Sequence, residues 1–246
     1  MSAEAGGATL PRLDPEGTTV ETRFPAPEGT VREDVEEASF AAYLRRLPLK
    51  PHGSKVRIHD GREKEPAGIY LAVVDLSLGA RDLQQCADAV IRLRAEYLFA
   101  QGRYDEIRFR FARDGRPRPY LVFAGEDRST GRFLAYLDWV FAYANTASLA
   151  AETSAVENVR DMRIGDLFVK PGRPYGHAVI VVDMVRGKED GKALFLLAQS
   201  YMPAQDIQVL LNPSDPEQGP WYAAESGAPL VTPEWTFSVS DLRRFR

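Results

Sequence analysis

Soft and imidazole side chains are scarce here: one cysteine, three histidines and four methionines in 246 residues. The lone thiol, Cys86, has no internal partner, so the fold rests on packing rather than on disulfide staples. A chain of this length buries roughly 70–75% of the surface it exposes when unfolded, enough for a core without them. His52 and His59 do not stand at metal-ligand spacing, so no metal is expected. There is no GxxxxGK phosphate loop and no GxSxG elbow, and no cofactor is expected. No apolar run approaches the ~20 residues needed to span a bilayer.

An excess of basic charge is lacking too. With 31 Lys and Arg against 35 Asp and Glu the net charge is −4, which argues against a nucleic-acid or anionic-membrane partner. The local exception runs from Arg103 to Arg118, where Ile107, Phe109 and Phe111 alternate with Arg108 and Arg110. That is the period of a half-buried strand with a solvated basic face; a polyanionic ligand is the alternative. The opening, MSAEAGGATLPRLDPEGTTVE, has neither a basic nor an apolar signal region, so the protein is cytosolic unless a signal segment precedes this sequence. Rich in Gly, Ala, Pro and acids, residues 1–17 are expected to form a flexible lead-in. No linker interrupts 18–246, which reads as one domain.

Along that domain, Thr18–Phe24 alternates weakly like an edge strand, and Glu33–Leu47 has helical rhythm ended by Pro48. Lys55–His59 predicts a short strand, and Gly68–Leu76 (GIYLAVVDL) a strand buried on both faces. Asp82 to about Ala100 predicts a helix with Asp82 as N-cap and Gln85 completing a capping box. A strand at Tyr120–Ala124 and a helix at Arg132–Tyr143 follow. Ile164–Val169, Gly176–Val185 and Lys192–Gln199 predict three successive strands, the last two joined by a turn at 188–191. Helices first and strands last indicate an α+β fold with helices packed on a central antiparallel sheet.

Three residues in this layout carry chemistry. Cys86 falls in or beside the first turn of its helix, where backbone N–H groups and the helix dipole stabilise a thiolate. His177 opens a strand and can serve a sulfur as base and then acid. Gln199 lies on the adjacent strand, where an amide can orient the imidazole. The Cys86 backbone N–H, with Gln84 or Gln85, would face a developing oxyanion. An active pair needs the His177 ring to face a pocket. Each residue also has a structural alternative: Cys86 and His177 as core residues, Gln199 as a partner to a loop. Asp166 and Asp183 read as a turn cap and a strand-end charge. Trp221, Tyr222 and Trp235 read as core aromatics rather than a ligand groove.

The segment IGDLFVKPGRPYGHAVIVVDMV resembles the strand–loop–strand of NlpC-type and CHAP-type cell-wall amidases, and LLAQSYM is similar to the histidine-orienting strand of papain-like peptidases. These resemblances imply a papain-like (NlpC-type) fold, with Cys86 as nucleophile, His177 as base and Gln199 as orienter, acting on peptide or cell-wall amides. In compact amidases the cysteine helix directly precedes the Gly-Asp strand. The corresponding stretch here, DRSTGR, holds no cysteine. Either 101–131 is an insertion after the Cys86 helix, or the nucleophile is lost and Ser129 is the remaining candidate. More broadly, SFAAYLRRLPLK, DLQQCADAVIRLRAEYL, YANTASLAAE, GHAVIVVDM, LLAQSYMPAQD, PWY and TPEWTF resemble the domain-of-unknown-function family numbered 4846. That resemblance implies a bacterial protein, secreted or lipid-anchored in the cell envelope. A binding or structural protein that keeps the fold is the rival to the hydrolase.

Overall fold

The computed structural model describes residues 13–215, 219–223 and 228–246. Of the expected lead-in, residues 1–12 lie outside the described residues. Residues 13–17 are tied to the first helix: Arg23 O accepts from Asp14 N–H at 2.8 Å, and the Arg23 guanidinium donates to Gly17 O.

The chain starts with α1 (Val20–Arg23), β1 (Thr30–Arg32), α2 (Phe40–Arg45) and β2 (Tyr70–Val73), followed by the long α3 (Cys86–Ala100). Residues 101–131 hold a separate hairpin, β3 (Arg108–Arg110) with β4 (Pro117–Pro119), and then α4 (Tyr120–Ala124). Helices α5 (Thr130–Phe141) and α6 (Thr146–Ala151) lead into the sheet strands. These are β5 (Thr153–Ala155), β6 (Leu167–Lys170), β7 (His177–Gly187), β8 (Ala193–Gln199), β9 (Gln208–Leu210) and β10 (Tyr222–Ala223). A hairpin of β11 (Leu230–Val231) and β12 (Thr236–Phe237) precedes β13 (Leu242–Phe245). The fold is thus mixed α and β around a large antiparallel sheet.

Among the described residues that sheet has nine strands, ordered β2-β9-β8-β7-β6-β13-β5, with β1 added to the far end of β7 and β10 to β8. The two long central strands are those anticipated around the 188–191 turn. They pair antiparallel from Ile180↔Ala198 to Arg186↔Ala193, and Gly187 closes the turn by donating to Lys192 O. Strand β7 is apolar through HAVIVV because both its faces are covered, with α3 packed across β7 and β8. One cluster of buried side chains runs from Val20 to Leu242.

Several expectations give way to tertiary context. Thr18–Phe24 contains the short helix α1, capped by Thr19, instead of an edge strand. Tyr120–Ala124 is helical rather than extended: a five-residue apolar run is ambiguous in period, and packing on α5 decides it. Lys55–His59 makes only isolated bridges. Strand β2 is an outer strand with Tyr70 and Leu71 half-buried, so its apolar run is not covered on both faces. Helix α2 is confined to Phe40–Arg45, capped by Ser39. Asp183 is no strand-end charge. It sits fully buried at an irregularity in the β7–β8 register, held by Arg45 at 2.7 Å and Arg32 at 2.8 Å. Asp166 does cap its turn, accepting from Arg163 N–H, and also pairs with Arg244.

Candidate functional site

The helix that carries Cys86 begins one residue after its cap. Gln85, extended at φ −93°, is the N-cap, and the capping box pairs it with Asp88 rather than with Asp82. Asp82 instead accepts from the Gln85 side chain and from Ala204 N–H. Cys86 is therefore the first helical residue, and its thiol reaches the start of β7, with Sγ 3.7 Å from Gly176 O. Glycine is required at 176. A Cβ there would lie 2.5 Å from both Lys170 O and Thr146 Oγ1. The N–H groups of Ala87, Ala178 and Cys86 itself also face the sulfur. Sulfur thus rests against both chain neighbours of His177.

Burial opposes ionisation of that thiol. Desolvation, followed by the Asp88 carboxylate, pushes Cys86 up to about 11, outweighing the stabilising N–H groups. Asp88 is itself driven well above the usual carboxylate range by burial, and its Oδ1 has no partner.

His177 lies on β7 one strand from Gln199. Gln199 sits beside Ala198, the partner of Ile180, so the two side chains are diagonal neighbours across the β7–β8 pair. His177 Nε2 and Gln199 Oε1 are 2.7 Å apart. The chain of contacts continues, because Gln199 Nε2 donates to Glu234 Oε2 at 2.5 Å and Lys64 Nζ donates to Glu234 Oε1 at 2.7 Å. This fixes the imidazole tautomer. An ionised carboxylate only accepts, so the Gln199 amide must point its nitrogen at Glu234 and its oxygen at His177. His177 then donates from Nε2, and Nδ1 keeps a bare lone pair. Nδ1 is buried and has no hydrogen-bond partner.

The imidazole is fully enclosed, with no face open to solvent, contrary to the expectation of a ring facing a pocket. Its cover is aromatic. Tyr201 packs edge-on at 5.0 Å between centroids, Trp235 at 5.4 Å and Phe237 at 5.9 Å. Trp235 and Glu234 ride the turn between β11 and β12, pinned where Thr232 and Trp235 exchange backbone N–H···O and side-chain bonds. Trp235 is thus a half-buried lid over the histidine rather than plain core. Desolvation lowers His177 to about 4, the Gln199 bond opposing the fall and the Lys64 ammonium adding to it.

The other sequence candidates fall differently. Gln85 N–H is committed to Asp88 Oδ2 and Leu83 O, and its side chain to Asp82, so it is not free to face an oxyanion. Gln84 is buried with its side-chain oxygen taken by Arg92, while its Nε2 has no acceptor among the described residues. Ser129 is exposed and serves as the N-cap of α5, accepting from Arg132 N–H. Ser200 lies 3.0 Å from Gln84 O and 2.8 Å from Gln205 O, tying the end of β8 to the cysteine loop. Sequence reasoning missed Lys64 and Glu234. Glu234 stood in TPEWTF, noted for Trp235 and for its family resemblance but not for its carboxylate, and nothing local marks Lys64.

No group of three or more His, Cys, Asp or Glu suited to a metal ion occurs among the described residues. Nor is any helix there long and apolar enough to cross a membrane. Residues 20–244 match the family described as domain of unknown function (4846). Among curated proteins and among solved structures, none matches the chain.

Proposed function

The chain belongs to that domain-of-unknown-function family, and for this member we propose thiol-dependent hydrolysis of amide bonds, on a papain-like scaffold. One observation carries the reading. The Gln199–Glu234–Lys64 chain holds His177 with a bare Nδ1, while the Cys86 sulfur is fixed against the residues on either side of it. In the structure the S–H is turned to Gly176 O and does not reach Nδ1. Once the site opens and the thiol turns to Nδ1, Cys86 transfers its proton there as sulfur attacks the carbonyl carbon. The Cys86 N–H and Gln84 Nε2 are the donors left for the oxyanion. The tetrahedral adduct collapses as the Nδ1 proton passes to the leaving amine. Water, deprotonated by Nδ1, then hydrolyses the thioester. Gln199 keeps Nε2 protonated throughout.

In this reading the present state is the closed one. With His177 near 4 and Cys86 near 11, both groups are neutral at pH 7. Displacing Tyr201 and Trp235 rehydrates them and admits substrate. Peptides of the bacterial cell envelope are the substrate class that the strand–loop–strand resemblance suggests.

The test is iodoacetamide labelling of Cys86 in the folded protein across pH, in wild type and His177→Ala, beside amine release from cell-wall peptides. Labelling that slows in His177→Ala, with release abolished by Cys86→Ala, supports the hydrolase. Labelling only after denaturation, with no release, overturns it. The elevated thiol favours the second reading, a catalytically silent envelope protein that keeps the scaffold, and that is the outcome the latter result would leave.

A further inference from the structure

The basic segment of 103–118 is not used by the thiol site. Two of its arginines, Arg108 and Arg110, line a cavity of about 290 Å³ together with Arg94, Arg246, Glu106 and Glu152. Arg94 projects from α3, and its guanidinium packs over three rings, Phe40 at 5.1 Å, Tyr97 at 5.5 Å and Phe245 at 5.6 Å. None of its N–H groups has an acceptor among the described residues, and the same holds for the exposed side chain of Arg108.

The carboxylates around them have their closest partners elsewhere. Glu106 is held by both arms of the Arg103 guanidinium. Glu152 accepts from Arg110 N–H and faces Arg110 Nε at 3.8 Å. Arg246 donates to Ser154 Oγ and Thr153 O, and Arg110 Nη1 to Gly115 O. The two carboxylates are thus hydrogen-bonded or paired to Arg103 and Arg110. Arg94 and Arg108 feel Glu106, and Arg108 also Glu152, only at a distance and have no hydrogen-bonded counter-ion. A stacked guanidinium partly withdrawn from water is costly to leave without acceptors, and its planar fork matches an oxyanion.

We propose that this cavity is a binding site for a phosphate-type dianion, held between Arg94 and Arg108. The volume, near the lower end of small-molecule sites at about 300 Å³, suits phosphate or a small phosphorylated molecule rather than a polymer. A tetrahedral dianion has enough oxygens to take both forks, where one carboxylate is filled by a single guanidinium. The site is independent of the thiol reading, and its test touches neither Cys86 nor His177.

Inorganic phosphate, pyrophosphate and phenyl phosphate, titrated calorimetrically at constant ionic strength, separate free anion from organic phosphate. One-to-one binding of at least one of them is expected. Arg108→Gln, at an exposed position whose side chain makes no hydrogen bond, should leave the melting curve in chloride nearly unchanged and weaken binding about tenfold or more. Arg94→Lys keeps a cation on the stack but loses the fork, and should weaken binding to a similar degree. Absence of binding in wild type overturns the proposal. So does affinity indifferent to both substitutions, or heat that added sodium chloride reproduces.

Discussion

His177 Nε2 and Gln199 Oε1 meet at 2.7 Å across the two central strands, and the amide nitrogen of Gln199 is committed in turn to Glu234. Gln199 thus satisfies a buried ring N–H on one side and a carboxylate on the other. Gln199→Ala removes both bonds at once. The cost is that of a buried donor and a carboxylate–Lys64 pair losing its third member, about 3 kcal/mol of unfolding free energy by urea denaturation. A loss below about 1 kcal/mol would mean that water replaces the amide and that the tautomer is not enforced.

Acid should weaken the fold through His177. Its folded value is lowered from the ordinary imidazole value of 6.5 to about 4, chiefly by burial. The unfolded chain therefore takes a proton between pH 6.5 and 4 that the folded chain refuses, and stability falls as pH drops through that window. Above it both states are neutral and His177 contributes no slope. The expected slope is up to about 1.4 kcal/mol per pH unit. His177→Gln can still donate to Gln199 Oε1 and does not titrate. The difference between its urea midpoints and those of wild type, followed over pH, isolates this group. Parallel curves would show that the imidazole is hydrated when folded.

How much of this was legible in the chain divides by distance. The apolar runs of β7 and β8 flank a short Gly-bearing turn, so antiparallel pairing, and with it the meeting of His177 and Gln199, followed from local pattern. Cys86 near a helix start followed from periodicity, although the cap moved from Asp82 to Gln85. Lys64 and Glu234 come from segments 170 residues apart, and no local signal joins them. Closure over His177 was equally hidden, because a turn aromatic such as Trp235 covers a site or fills a core with the same sequence signature. Asp183 was misjudged because a charge inside an apolar strand has no partner nearby in sequence. Arg32 and Arg45 lie 151 and 138 residues away.

That buried Asp183 makes its own prediction. Asp183→Ala leaves Arg45 nearly sealed from solvent without its counter-charge, and should cost about 3–5 kcal/mol. Combining it with Arg45→Met should recover part of the loss, since a neutral pair no longer strands a charge. Six residues along β7 separate Asp183 from His177, roughly 20 Å of strand. Cys86 labelling in the folded double variant should therefore match wild type. A changed labelling rate would show that the two ends of β7 are coupled.

Tyr201 is the side chain best placed to report on closure. It packs edge-on against His177, lies under the Lys64 ammonium at 5.0 Å, and is close enough to Cys86 that a thiolate there would raise its hydroxyl. Its ring is half-buried, so it forms the outer layer of the site rather than the core. Burial is the main reason the thiol stands at about 11, so removing the ring lets water reach the sulfur and lowers it. Each unit of that fall raises the thiolate fraction at pH 7 about tenfold. Tyr201→Ala should therefore speed iodoacetamide labelling of Cys86 by about tenfold or more. Tyr201→Phe, which keeps the ring and loses only the hydroxyl, should label as wild type does. Urea titrations of both variants distinguish local opening from global unfolding, because only the former accelerates labelling well below the unfolding midpoint. Equal rates in all three proteins would mean that the sulfur is sealed by α3 and β7 rather than by Tyr201, and would remove Tyr201 as the gate.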